Sequence, residues 1–300
     1  MSKIIACLRL MRPANIVTAV ADILAGFAIT FAMVHRGNWN EINFPVLLSL
    51  ILSTIGLYGG GVVMNDIADY ETDKVERPER PIPGGKISRS AGAVLGSALL
   101  LIGVLSALHV SAQSGIIALT IAMLAVFYDF IGKHHHVIGP VNMGLCRGGN
   151  LLLGMSSSML IIENYYLIAL LPIIYITAIT LISRGEVAGG NKVAIRYATF
   201  MYSFVVGAIA LISFYFFSGR YFFPTLGLTL LFAILIFRPL FIAHQNPDQI
   251  NIRNAVKAGV ISLIVMDAAI ATSFTGWQYS LTMLILLPFS FLLAKVFAVT

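Results

Sequence analysis

At 300 residues, 58% hydrophobic and only 11% charged, the chain cannot be an ordinary soluble domain, where about 25% of residues carry charge. Its formal charge of +6 is spread over the chain ends and loops rather than concentrated in a basic domain, which argues against a nucleic-acid partner. Two cysteines, Cys7 and Cys146, are too few for a disulfide scaffold, and their expected places, a reducing compartment and a membrane span, argue against a bridge between them.

A spanning helix needs about 20 apolar residues. Ten stretches qualify in chain order, near 16–35, 44–65, 91–110, 113–131, 138–160, 166–184, 195–217, 221–244, 254–274 and 278–298. Alternating strands of a membrane barrel are absent, so the pattern predicts an all-α, polytopic helical membrane protein. The first span shows no cleavage site after its apolar run and is read as retained. With the N-terminus in the cytoplasm, sixteen Lys and Arg fall in cytoplasmic ends and loops, Arg36 and Arg220 fall opposite, and Arg147 lies within a span. That bias sets the orientation, with both termini cytoplasmic. The expected location is the inner membrane of a bacterial cell. No Ser/Gly linker interrupts the chain, so one domain over 1–300 is expected, with a core of about 8–275 and an extra C-terminal helix at 278–298.

The second span runs into "NDIADYETDKVERPERPIPGGKIS", residues 65–88. Six of the thirteen acidic residues lie between Asp66 and Glu79. If the helix continues, Asn65, Asp66, Asp69 and Asp73 fall within one arc of about 100°. Like charges on one stripe repel, and a divalent cation would relieve them. Oxygen ligands suit Mg²⁺, which completes its shell with water and substrate phosphates. Arg77, Arg80 and Lys86 follow among prolines and the Gly84-Gly85 pair, on a bent loop. Guanidinium groups match phosphate oxygens through paired donors. Acids for a metal beside bases for phosphate describe a diphosphate site; a merely charged loop would explain the bases but not the carboxylate spacing.

These residues resemble the first Asp-rich motif of the UbiA superfamily of intramembrane prenyltransferases. "YDFIGKHHHVIGP", residues 128–140, resembles that family's Tyr and Lys at the end of the fourth helix, here Tyr128 and Lys133. The resemblance implies a UbiA-like bundle of about nine core transmembrane helices plus a tenth. It implies that Asp66, Asp69 and Asp73 ligate Mg²⁺ on a prenyl diphosphate, that Asn65 supports them, and that Arg77, Arg80 and Lys133 face the diphosphate. The implied reaction ionises an allylic diphosphate, and an acceptor captures the cation. Metal and cations would stabilise the departing charge.

After the sixth span comes "SRGEVAGGNK", residues 183–192. The four-span interval suggests an internal duplication that brings both polar patches to one face. The family's second motif has two acids four residues apart. Here Glu186 stands, as a catalytic and metal-binding candidate, but Gly190 or Asn191 occupies the second position. Asn191 can offer a carbonyl oxygen, and Lys192 can replace part of a metal's charge. Within the fifth span, Asn142, Cys146 and Asn150 recur every fourth residue beside Arg147. They line an acceptor cavity or permeation route, or else Arg147 pairs structurally with Asp22 or Asp267. His134, His135 and His136 have no ligand spacing and read as a hydrated loop.

"RPANIVTAVADILAGF", "NMGLCRGGNLLLG" and the terminal "LLAKVFAVT" resemble the UbiA-like EboC subgroup, whose members have been linked to moving a precursor across the membrane. The expected function is Mg²⁺-dependent transfer from a polyprenyl diphosphate to a small lipophilic or aromatic acceptor entering from the bilayer. The alternative is a UbiA-fold protein that binds or transports an isoprenoid or metabolite with little turnover.

Overall fold

The computed structural model describes residues 3–185, 192–215 and 221–297, and these contain helices and no strand. A short helix α1 (Lys3–Met11) precedes α2 (Pro13–His35), α3 (Phe44–Ala68), α4 (Tyr70–Glu76), α5 (Arg89–Val110) and α6 (Ala112–Phe130). Next come α7 (Ile138–Met155), α8 (Met159–Tyr165), α9 (Leu170–Ser183), α10 (Lys192–Tyr215), α11 (Phe222–Gln245) and α12 (Gln249–Thr275). Last are α13 (Trp277–Leu284) and α14 (Leu286–Phe297). Several starts are written in the sequence: Asn43, Ser88, Ser111 and Asp248 each accept a backbone N–H of the following turn, the usual cap chemistry.

Among the described residues, nine helical stretches are long and apolar enough to cross a membrane. The expected fifth span is not among them. It is the shorter α7, whose hydropathy is lowered by Asn142, Arg147 and Asn150. Two of these nine stretches are interrupted, Met159–Ser183 and Trp277–Phe297. A 3-10 turn over Tyr166–Ala169 separates α8 from α9, and α13 gives way to α14 after Leu284. In both cases a proline, Pro172 or Pro288, lies in the first turn of the following helix, where its missing N–H costs no bond.

Helices α2 and α12 form the centre. Every residue from Ser262 to Phe274 is buried, as expected of a helix surrounded on all sides. At the periphery, α5, α6, α10 and α11 expose Leu101, Ile116, Phe200 and Ile234, side chains suited to hydrocarbon. Without a hydrophobic drive between helices in lipid, small residues set the close contacts. A Cβ on Gly26 of α2 would lie 2.2 Å from Leu151 O of α7, and one on Gly144 of α7 would lie 2.4 Å from Ile173 O of α9. These approaches hold α7 against its neighbours by backbone.

Helix α1 buries Ala6 and Leu10 against Val63, Ile67, Ile82 and Ile87 and leaves Ile4, Ile5 and Leu8 exposed. The chain then turns through Arg12, which adopts the left-handed conformation at φ 50°.

Candidate active site

The acidic helix does not run straight through its motif. It breaks at Asp69, which ends α3 and caps α4 with φ −86° and ψ 4°. The single stripe expected from the sequence is therefore divided. Asp66 and Asp73 are buried, while Asp69 is partly open. The following loop folds back, with Gly84 N–H donating to Arg80 O at 2.8 Å and Ile87 N–H to Pro81 O at 3.1 Å. Ile82 and Ile87 are thereby seated in the cluster under α1, and Arg80 is carried over the acids.

Each carboxylate is met by a cation from a different part of the chain. Arg12 Nη2 donates to Asp66 Oδ1 at 2.6 Å. Arg80 Nη1 donates to Asp73 Oδ2 at 2.6 Å and to Asp66 Oδ1 at 3.3 Å. Lys133 Nζ donates to Asp69 Oδ1. One oxygen of each acid is thus occupied, and among the described residues the other accepts no hydrogen bond. Lys133 is itself held in place by its loop: Arg184, just past α9, donates to Lys133 O at 3.1 Å and His135 O at 2.6 Å, and meets His136 Nδ1 at 2.9 Å. The three histidines are exposed, as the hydrated-loop reading expects.

Beneath this end of the bundle lies a cavity of about 390 Å³, walled by α2, α3, α6, α7, α9 and α12. Leu57, Val62, Ile121, Met143, Ile179 and Leu263 contribute its apolar wall, while Arg12, Asn65, Tyr128 and Asp129 bring polar groups to it. Arg147 and Asn150 border the same space. Arg147 Nη1 donates to Asp22 Oδ2 at 2.9 Å and Nη2 to Thr18 Oγ1 at 2.7 Å, while Asn150 Nδ2 donates to Asp22 Oδ2 at 2.9 Å and Ala19 O at 2.7 Å. Of the two acids considered for Arg147, Asp22 is the ion-pair partner. The Asp267 carboxyl is buried beside that of Asp22 and, among the described residues, forms no ion pair with Arg147.

The structure brings together Asn65, Asp66, Asp69, Asp73, Arg80, Tyr128 and Lys133. Arg77 caps α4 at the rim and is half-buried, whereas Lys86 and Lys192 are exposed. Asn142 lies off the cavity wall: its amide is committed to Leu124 O at 2.8 Å, tying α7 to α6. Glu186 and Asn191 lie outside the described residues, although nearby Ser183 lines the cavity.

Two polar residues at the site were not found by the sequence argument. Arg12, by sequence one of the sixteen cytoplasmic charges, reaches Asp66 across 54 positions of chain. Asp129 Oδ1 accepts from Asn65 Nδ2 at 3.0 Å, and its buried Oδ2 has no partner among the described residues. Asp129 stands inside the Tyr128–Lys133 segment, and its position at the end of an apolar span was the available signal.

An apolar chamber within a bundle of helices long enough to span a membrane, with paired acids and bases beside one end, defines an integral membrane protein with an internal pocket. Residues 23–254 match the UbiA prenyltransferase family, and the chain belongs to that family. A digeranylgeranylglyceryl phosphate synthase of Methanothermobacter thermautotrophicus is 29% identical over 147 residues, covering 49% of each chain. One from Ignicoccus hospitalis is 29% identical over 188 residues, covering 62% of this chain and 59% of its own. The chain thus matches between half and three-fifths of the length of these relatives. Among solved structures, a digeranylgeranylglyceryl phosphate synthase superposes with a TM-score of 0.65 at 21% identity, covering 92% of this chain and 99% of that one. A UbiA homologue from Archaeoglobus fulgidus, bound to GPP and Mg²⁺, gives 0.63 at 13% identity over 88% and 99%. At these identities the structural likeness concerns the fold.

Proposed function

We propose that the protein transfers a prenyl group from a prenyl diphosphate to a small lipophilic acceptor, with Mg²⁺ at the acidic motif. The observation that carries this reading is the set of three acids, each met by a base, next to a largely apolar cavity that Arg12 and Asn65 line. The residues fit the metal chemically. Asp66, Asp69 and Asp73 each keep one oxygen clear, and hard oxygen donors suit Mg²⁺. Glu186 is the further candidate ligand from the second motif. Among the described residues no ready cluster of three or more His, Cys, Asp or Glu side chains is assembled for a metal. The bases occupy that position, and binding of the metal and diphosphate exchanges these partners.

In this reading, Arg80, Arg12 and Lys133 turn from carboxylate to diphosphate oxygens, and Arg77 and Lys86 approach from the rim. Asn65 and Tyr128 border the allylic end, while Asn191 and Lys192 approach from the second motif. Bound Mg²⁺ would supply positive charge for the departing diphosphate. The apolar wall would accommodate the isoprenoid tail and exclude water from the cation. The motif faces the cytoplasm, as the distribution of Lys and Arg supports. The archaeal relatives named above make acceptors of the glyceryl phosphate class the first to try.

The test is diphosphate release from geranyl diphosphate by purified protein. Release is expected only with Mg²⁺ and is abolished in Asp69→Asn. The pre-neutralised acids favour a second reading, an isoprenoid-binding or transport protein of the EboC kind. Tight donor binding without release, across all acceptors tried, would replace the first reading with the second.

A further inference from the structure

Among the described residues that line the cavity, Asp129 is the only carboxylate. It is 4% exposed. Asn65 Nδ2 donates to its Oδ1 at 3.0 Å, while among the described residues its buried Oδ2 has no donor. The three motif acids are held by Arg12, Arg80 and Lys133 and do not line the cavity. A buried acceptor without a donor costs about 1–3 kcal/mol, and such a group calls for an explanation, a catalytic role among them.

We propose that Asp129 receives the proton of a hydroxyl-bearing acceptor, an alcohol or phenol, so that the acceptor attacks through oxygen. This rests on the transferase reading above. In the step, the bond between the allylic carbon and the diphosphate oxygen breaks, and its electron pair leaves with the diphosphate. A lone pair of the acceptor oxygen forms the new carbon–oxygen bond. The hydroxyl proton passes to Asp129 Oδ2 and is lost to water when the product leaves. The amide of Asn65 keeps Oδ1 occupied, so among the described residues Oδ2 is the oxygen left to take a proton. Tyr128 and Cys146, neutral neighbours on the same wall, are weaker proton acceptors than a carboxylate.

The experiment uses full-length protein in lipid nanodiscs with Mg²⁺, geranyl diphosphate, and two probe acceptors: geranylgeranylglyceryl phosphate and a long-chain alkylphenol. Wild type should form an ether with at least one probe. D129N should lower ether formation by at least about 100-fold, the lower end for a positioned base. In D129N the transfer should fall by a larger factor than donor affinity or diphosphate release to water, and D129E should recover part of the transfer. Ether formation by D129N at the wild-type rate would overturn the proposal. So would parallel loss of donor binding and transfer, which would make Asp129 a support for Asn65. Wild type that releases diphosphate but prenylates no oxygen of either probe would also overturn it. Absence of diphosphate release from wild type would instead remove the transferase reading, and this inference with it.

Discussion

Removing Arg80 tests whether the motif bases stand in for a metal. In Arg80→Gln, Asp73 loses a contact of 2.6 Å and Asp66 one of 3.3 Å, between side chains only 10%, 6% and 5% exposed. Breaking a buried pair by deleting one partner costs about 3–5 kcal/mol. Arg12 still holds Asp66, which places the expected loss near the lower limit, about 3 kcal/mol. Thermal unfolding in detergent with a chelator should therefore show R80Q melting below wild type. Mg²⁺ should then stabilise R80Q more than wild type, because no guanidinium has to be displaced first. A relief of about 3 kcal/mol corresponds to roughly 100-fold tighter metal binding. Donor affinity should move the other way, weakening by about 1.5–3 kcal/mol for the lost charged hydrogen bond. Equal melting of R80Q and wild type in chelator, or equal shifts with Mg²⁺, would refute the exchange of partners.

Arg147→Met should destabilise the bundle by about 3–5 kcal/mol, and adding Asp22→Asn should recover part of the loss in the same melting assay, because Asp22 is the acid paired with Arg147 at 2.9 Å. Adding Asp267→Asn instead should recover less. Gly26→Ala places a Cβ 2.2 Å from Leu151 O and should lower the melting point clearly. Gly207→Ala meets nothing within 4 Å and should leave stability unchanged or raise it by about 1 kcal/mol through helix propensity.

The membrane class, most spans and the acidic motif were legible because each is a local pattern: apolar length, cap residues, or acids at helical spacing. The interruption at Asp69 was not, because nothing in its immediate sequence forbids a continuous helix. In the fold Asp69 is met by Lys133, 64 positions away, a contact that the local sequence does not show. Arg12 was hidden for a related reason. A basic residue before a span reads as topology, and only the turn at φ 50° aims it at Asp66. Arg147 was legible as costly but not as to partner, since Asp22 and Asp267 satisfy the same charge argument. Asn142 illustrates the opposite failure, for it shares the polar stripe yet is committed to Leu124 O.

The glycine contacts of α7 have a consequence for how the chamber can change. Where two main chains touch, side-chain rotamers cannot absorb a shift, so Arg147 and Asn150 sit at a depth set by the covalent scaffold. Altered selectivity should therefore come from the walls on α6, α9 and α12, where Ile121, Ile179 and Leu263 can be trimmed or enlarged, while the polar floor acts as a fixed datum.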